Sequence, residues 1–408
     1  MPTSLAITHA NLVLEHEIIE DASLLVRDGV ISDFGPCSEV DAAEADVTLD
    51  AGRSMYLLPG LIDTHNDGLE GEINPRPRAA LPAEFALQNY ERRSVSGGVT
   101  TSFHAVAFMN MARTERTVMD AAARTAMLRK RQPYAAIDHL ALHRLDVWTP
   151  EGVAPLFQSM RQFPVQALSL NDHTPGQGQY RDLETFKKTM QAYRANDPSF
   201  DAEAEIERRI SDRADDTETV PAIYERVRQE LAREPYIIAS HDDDSADKVD
   251  QMVELGSTIA EFPVVGEAAE RARERGLWIT VGAPNIVRGG STSGNSDATE
   301  LVRLGLADII CADYHAPSML LAAFKLAELG ACSLIEALAK VTVNPARAFG
   351  LEDRGRIEHG LRADLVMVDV VDGMPVAQAV FRAGEPALVT KQAAAGMTRV
   401  GPLATATA

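Results

Sequence analysis

Along the chain, short apolar runs alternate with polar turns at both ends, and longer βα spacing fills the middle. The first 50 residues read as short strands, Ser4–Ile7, Ala10–Leu14, Ala22–Arg27, Val30–Phe34 and Val47–Leu49. Asp28-Gly29 between two alternating runs is a hairpin signal. The same texture returns in Gly355–Ile357, Asp364–Asp369 and Ala377–Arg382. Between them, eight apolar runs of strand length alternate with helical patterns: Tyr56–Ile62, Val99–Val106, Ala136–Leu145, Val165–Leu170, Tyr236–Ser240, Thr258–Phe262, Trp278–Gly282 and Ala307–Cys311. Buried parallel strands read as near-continuous apolar runs, so the middle predicts a (β/α)8 barrel with its active site where the strands end.

The expected fold class is therefore α/β. Residues 56–349 form the barrel, and residues 1–55 and 350–390 form one composite β-sandwich domain. The charged helical stretch 181–234 is an insertion between strands four and five, read as a lid or as a solvated decoration. The Ala/Thr-rich segment 391–408 is expected to be disordered.

Composition narrows the partners. The 408 residues carry 39 basic and 60 acidic side chains, a net charge of −21. Nucleic acid and anionic membrane both reward basic surfaces, so neither is expected. The opening residues lack the basic and apolar regions of a signal peptide, and no uncharged stretch approaches the ~20 residues of a membrane span. Cys37, Cys311 and Cys332 form no CxxC and read as reduced thiols of a cytoplasmic protein. A homo-oligomer is compatible with all of this.

Candidate chemistry collects after the strands. Strand one is followed by Asp63-Thr64-His65-Asn66-Asp67, strand four by Asn171-Asp172-His173, and strand five by His241-Asp242-Asp243-Asp244. Glu261 lies on strand six, and Asp313-Tyr314-His315 follows strand eight. A lone histidine is more often a core or surface residue than a ligand. Imidazoles and carboxylates at successive strand ends, however, converge on one mouth, and that donor mixture suits a divalent metal such as zinc. His65 and Asp67, two residues apart on an extended segment, point to the same face. The candidate ligands are His65, Asp67, His173, His241, Glu261 and Asp313, for one or two ions.

Features suited to phosphate lie alongside. Arg76 and Arg78 sit in Asn74-Pro75-Arg76-Pro77-Arg78 on the first loop, and a long loop, Gly282–Asn295, follows strand seven. In it, Arg288, Gly289, Gly290 and Ser291 combine a guanidinium, a hydroxyl and exposed backbone N–H groups, which can cradle an anion. No GxSxG elbow and no P-loop is present, so activated water is the better nucleophile.

These residues carry a resemblance. The Pro59-Gly60-Leu61-Ile62-Asp63-Thr64-His65 entry, the two-ended sheet domain and the strand-eight Asp313 resemble the amidohydrolase superfamily. Asp172-His173-Thr174-Pro175-Gly176-Gln177, Ala239-Ser240-His241-Asp242-Asp243, Ile259-Ala260-Glu261-Phe262-Pro263 and Gly282-Ala283-Pro284-Asn285-Ile286-Val287-Arg288-Gly289-Gly290-Ser291 are similar to the PhnM-type proteins of the carbon–phosphorus lyase pathway, from about residue 5 to residue 385. The resemblance implies hydrolysis of alpha-D-ribose 1-methylphosphonate 5-triphosphate to the 5-phosphate and diphosphate, with His241 and Asp313 catalytic and Asp313 the proton acceptor. Two departures stand out: His65-x-Asp67 replaces the superfamily's usual His-x-His, and Glu261 stands where strand six usually offers histidine. His104 and His143 are candidates for adapting the substrate. A cyclic amidase or deaminase is the rival reading, but it calls for a carboxylated lysine after strand four, and Lys187 and Lys188 come too late. A non-catalytic scaffold would be expected to have lost ligands.

Overall fold

The structure is a computed structural model describing residues 4–43, 45–76, 79–110, 117–194, 200–291 and 294–399. Its strands run in chain order β1 (Ser4–Val13), β2 (Ile18–Arg27), β3 (Val30–Pro36), β4 (Val47–Asp50) and β5 (Tyr56–Pro59). Next come β6 (Leu61–Asn66), β7 (Val99–Ala107), β8 (Asp138–Asp146), β9 (Ala167–Asn171), β10 (Ile237–His241), β11 (Ile259–Glu261), β12 (Trp278–Gly282) and β13 (Ile309–Cys311). The last four are β14 (Leu365–Val371), β15 (Met374–Arg382), β16 (Glu385–Val389) and β17 (Met397–Arg399).

Strands from both termini join in one nine-stranded mixed sheet, ordered β16-β15-β14-β5-β1-β2-β3, with β4 pairing β1 and β17. The two ends meet where β5 runs antiparallel to β14, Pro59 opposite Leu365. Period-two alternation sends neighbouring residues to opposite faces. Leu5, Ile7, Leu24 and Val26 enter the main core with Leu49, Leu57, Leu365 and Phe381, while Ala6 and Leu25 pack under Val40 and Ala45. Asp28 and Gly29, both at positive φ, turn β2 into β3 as their sequence predicts.

β6 to β13 form the second, parallel sheet in sequence order, the eight strands of the barrel. All six residues of β6 and all nine of β7 are buried, as strands covered on both faces must be.

Several expectations need correction. The predicted first barrel strand is two elements: Tyr56–Pro59 belongs to the mixed sheet, and the barrel begins at Leu61. Gly60 makes the switch, because any Cβ there would collide with the Thr100 side chain. The first two predicted strands are one, β1, interrupted by an irregularity between Ile7 and Ala10. Gly355–Ile357 is not a strand, since Gly355 adopts a left-handed φ of 87°. Of the segment expected to be disordered, Lys391–Ala395 is helical and Met397–Arg399 pairs with β4; residues 400–408 lie outside the described residues.

The predicted insertion is helical, in Leu183–Tyr193, Ala202–Asp215 and Thr219–Leu231. Asp182 and Asp201 cap the first two by accepting backbone N–H bonds. No helix among the described residues is long and apolar enough to cross a membrane. The chain divides into two compact units, residues 1–102, 131–139 and 311–408, and residues 103–130 and 140–310, and each carries candidate residues of its own.

Candidate active site

In the first unit, β6 delivers His65 from its end and Asp67 from the turn that starts the helix Gly68–Ile73. His65 Nε2 lies 3.7 Å from Asp67 Oδ2, with His65 only 1% exposed and Asp67 34%. Asp67 is thus the side open to solvent. Behind them Asp63 accepts the Ala312 N–H at 2.9 Å and the Asn66 amide at 2.5 Å. Burial pushes the Asp63 carboxyl up to about 6 against those two donors. Its work is to pin the end of β6 to the segment after β13. Asp313 is pinned there too: its N–H donates to the His65 carbonyl at 2.9 Å, and Asn66 forms a parallel bridge with it. The main chains of His65, Asp67 and Asp313 are therefore joined at the strand ends. Arg76 is exposed on the loop beyond, and Arg78 lies outside the described residues.

In the second unit, parallel register sets His241 of β10 opposite Glu261 of β11. His241 Nδ1 and Glu261 Oε2 are 3.3 Å apart, and the buried Glu261 accepts the Ser169 hydroxyl at 2.7 Å. On the other ring nitrogen, Arg144 Nη2 stands 3.3 Å from His241 Nε2, while its Nε donates to Asn171 at 3.2 Å. Asp242 Oδ2 also lies 3.4 Å from Nε2, and all three contacts are long for hydrogen bonds. Sequence reasoning overlooked Arg144, which lies in a strand that also carries Asp138, His139, His143 and Asp146.

Within this unit His173 pairs with Asp146, Nδ1 to Oδ2 at 2.8 Å. Burial opposes ionisation of Asp146, but the His173 bond and charge, the Trp148 N–H and the Arg213 charge together outweigh it and hold the carboxyl below its ordinary range. That bond leaves Nε2 as the ring nitrogen to offer a ligand, the usual arrangement in which a carboxylate orients a metal-binding imidazole. Asp146 was also overlooked. Arg213, from the inserted helix Ala202–Asp215, donates to Thr174 at 2.7 Å and stacks over Trp148, whose indole donates to Asp172 at 3.1 Å. The insertion therefore docks on the loop after β9.

The phosphate features need revision. Ala283–Arg288 is a short helix, not an open loop; Pro284 favours its first turn, where the missing N–H costs nothing. Gly289 ends it at a left-handed φ of 82°. The N–H groups of Gly289 and Gly290 both donate to the Asn285 carbonyl, at 3.0 and 2.9 Å. Committed to that cap, they do not form the expected anion cradle. Arg288 is exposed and donates to the Asn285 side chain at 2.6 Å, and Ser291 follows it. His143 is corrected as well. It is fully buried between Phe108 and Phe163, and burial lowers its pKa to about 4. It is a neutral core residue.

A backbone feature recurs in both units. Asp242, Phe262 and Asp313, the first residues past β10 and β11 and the second past β13, have φ of 56°, 55° and 57°. Non-glycine residues held in this costly region cluster at functional sites.

Residues 245–395 match the amidohydrolase family. The alpha-D-ribose 1-methylphosphonate 5-triphosphate diphosphatase of Escherichia coli (strain K12) is 37% identical over 395 residues, covering 93% of this chain and 99% of that protein. Among solved structures, an enamidase of the amidohydrolase superfamily superposes with a TM-score of 0.64 at 15% identity, covering 97% of this chain and all of that one. A beta-aspartyl dipeptidase from Fervidobacterium islandicum AW-1 gives 0.62 at 17% identity, covering 95% and 97%. At these identities the structural likeness speaks for the fold alone.

Proposed function

We infer the chemistry of this site from one premise: the chain belongs to the alpha-D-ribose 1-methylphosphonate 5-triphosphate diphosphatase family of the amidohydrolases. Its reaction is hydrolysis of that triphosphate to the 5-phosphate and diphosphate, a step of phosphonate catabolism. The observation that carries this is the near-complete relation to the Escherichia coli enzyme, 99% of whose length is covered. A cyclic amidase or deaminase is not favoured.

Amidohydrolases use divalent metals, and the donors present suit one. His65 with Asp67, and His241 with Glu261, are imidazole–carboxylate pairs in which the imidazole is nearly or fully buried. We assign His65, Asp67, His241, Glu261 and Asp313 as the residues that would hold one or two ions, with zinc as the proposed metal, and His173 through Nε2. When bound, the metal supplies Lewis acidity and a water acidic enough to ionise near neutral pH.

The chain's own residues do the rest. An Asp313 carboxylate oxygen accepts the proton of the attacking water. That water's oxygen bonds to the phosphorus nearest the ribose as the bond to the diphosphate bridging oxygen breaks. Charge on the departing diphosphate is the main cost of such a transfer, and guanidinium groups meet it well. We assign Arg76 and Arg288, with the Ser291 hydroxyl, to the triphosphate; Arg78 is proposed on its sequence position alone. Arg144 lies beside the His241 ring, 3.3 Å from Nε2, without fixing it. The docked insertion is read as a cover over the loop after β9, and the three free cysteines fit the cytoplasm, our proposed compartment.

Phosphorus NMR of the purified protein with the triphosphate tests the reading. Diphosphate and the ribose 5-phosphate should appear together and in equal amounts. Release of inorganic phosphate alone, or no turnover with zinc present, contradicts it.

A further inference from the structure

Three neighbouring strands of the mixed sheet each bring one metal-ligating side chain to the same spot. His9 sits at the irregularity in β1 with φ of 55°, and Asp21 sits on β2 with φ of 48°. Cys37 follows directly on β3, its backbone N–H donating to the Asp21 carbonyl at 3.1 Å. His9 Nδ1 and Asp21 Oδ1 are 2.6 Å apart, and Cys37 Sγ lies 3.6 Å from the first and 3.7 Å from the second. The Ser23 hydroxyl lies 3.1 Å from the sulfur. His9 and Asp21 are 35% and 44% exposed, so the spot is open to solvent.

Two other readings of a cysteine, a histidine and an aspartate fail on the geometry. A nucleophile relay needs thiol and carboxylate on opposite ring nitrogens. Here both face Nδ1. A disulfide is excluded because all three cysteines are free.

We propose that His9, Asp21 and Cys37 form a second divalent-cation site of the zinc type, with solvent completing the coordination. Zinc bonds of about 2.0 Å to nitrogen and oxygen and 2.3 Å to sulfur set tetrahedral edges of about 3.3–3.5 Å. The two edges to sulfur are already close to that length. The third opens when the metal replaces the His9–Asp21 hydrogen bond, and the largely exposed Arg53, 3.5 Å from Asp21, gives up a long contact. A thiolate in the set selects zinc or cobalt over magnesium or calcium, which prefer oxygen alone. Bound metal would tie β1, β2 and β3 together at the sheet edge, a role independent of the hydrolysis assigned to the barrel.

The test uses the full chain, stripped of metal by a chelator and titrated with cobalt(II). A near-ultraviolet thiolate-to-cobalt band should appear, vanish in Cys37→Ser, and weaken in Asp21→Asn and His9→Asn. Asparagine tolerates the left-handed backbone at both positions, so folding is spared. Triphosphate hydrolysis should persist in Cys37→Ser. Absence of the band, or an undiminished band in Cys37→Ser, overturns the site. A second measurement needs no variant. Zinc should slow iodoacetamide alkylation of Cys37 by about tenfold or more, because the free thiolate is the reactive species. Equal labelling with and without zinc, read by mass spectrometry, also overturns it.

Discussion

The backbone N–H of Asp67 donates to the carbonyl of Asp313 at 2.6 Å, so two candidate ligands 246 residues apart in the chain are joined through their main chains. With the Asp313 N–H on the His65 carbonyl, this clamp holds Asp313 in a left-handed conformation, φ 57°. Asparagine accepts that conformation as readily as aspartate, whereas alanine is strained there. Asp313→Asn is therefore the clean probe of the proposed proton acceptor. We expect kcat to fall by about 10²–10⁴-fold, the usual scale for losing general-base catalysis. The circular dichroism spectrum should not change. An Asp313→Asn enzyme with near wild-type kcat would remove Asp313 from the chemistry.

Asp146 supports rather than reacts. Its bond to His173 Nδ1 fixes which ring nitrogen can face a metal. Asp146→Asn breaks the charge-assisted pair and lets the ring choose the other tautomer. Removing such a supporting carboxylate typically costs about 10–100-fold in metal affinity. Zinc content and zinc-dependent activity should both drop, and excess zinc should restore the activity. If affinity is unchanged, His173 is no ligand and the pair is structural.

The strands were readable because most barrel strands contain short apolar runs, and β12 emerges with its predicted limits. What misled was steric and non-local. Tyr56–Ile62 looks like one strand until the Thr100 side chain forbids a Cβ at Gly60. Lys391–Arg399 lacks apolar periodicity, and its order comes from pairing Met397 opposite Leu49, far earlier in the chain. Candidate ligands were readable because His, Asp and Glu at strand ends are chemically conspicuous. Arg144 and Asp146 were not, since their roles depend on partners brought up by other strands. Gly289-Gly290 was misread because a glycine pair looks the same in sequence whether its N–H groups are open or spent on a helix cap.

Arg288 tests the phosphate assignment. It closes the helix Ala283–Arg288, exposed, with its guanidinium steadied by the Asn285 side chain. Arg288→Ala should lower kcat/KM for the triphosphate by about 10²-fold, as for loss of a preorganised charge contact. Arg288→Lys should recover only part, because a point charge cannot reproduce a planar fork. Metal content should stay constant in both. Wild-type kinetics in Arg288→Ala would make this arginine a surface residue on a helix end.

Glu91 gives a prediction about stability and pH. Its carboxylate is 4% exposed and takes both Arg131 nitrogens, at 2.8 and 2.7 Å, together with His139 at 2.8 Å. Burial alone would raise its pKa, but the Arg131 and His139 bonds prevail and lower it from 4.5 to about 2. The folded pKa lies below the unfolded one, so the contribution is complete above 4.5 and is lost as pH falls through about 2. A difference of this size corresponds to about 3 kcal/mol at neutral pH. Glu91→Gln keeps the shape and removes the charge, leaving Arg131 and His139 without their anion. Chemical denaturation should therefore show wild type ahead of Glu91→Gln by about 2–3 kcal/mol near pH 7, with the gap roughly halved by about pH 3. A gap that does not change with pH would mean that packing, not the ionised carboxylate, is what Glu91 provides.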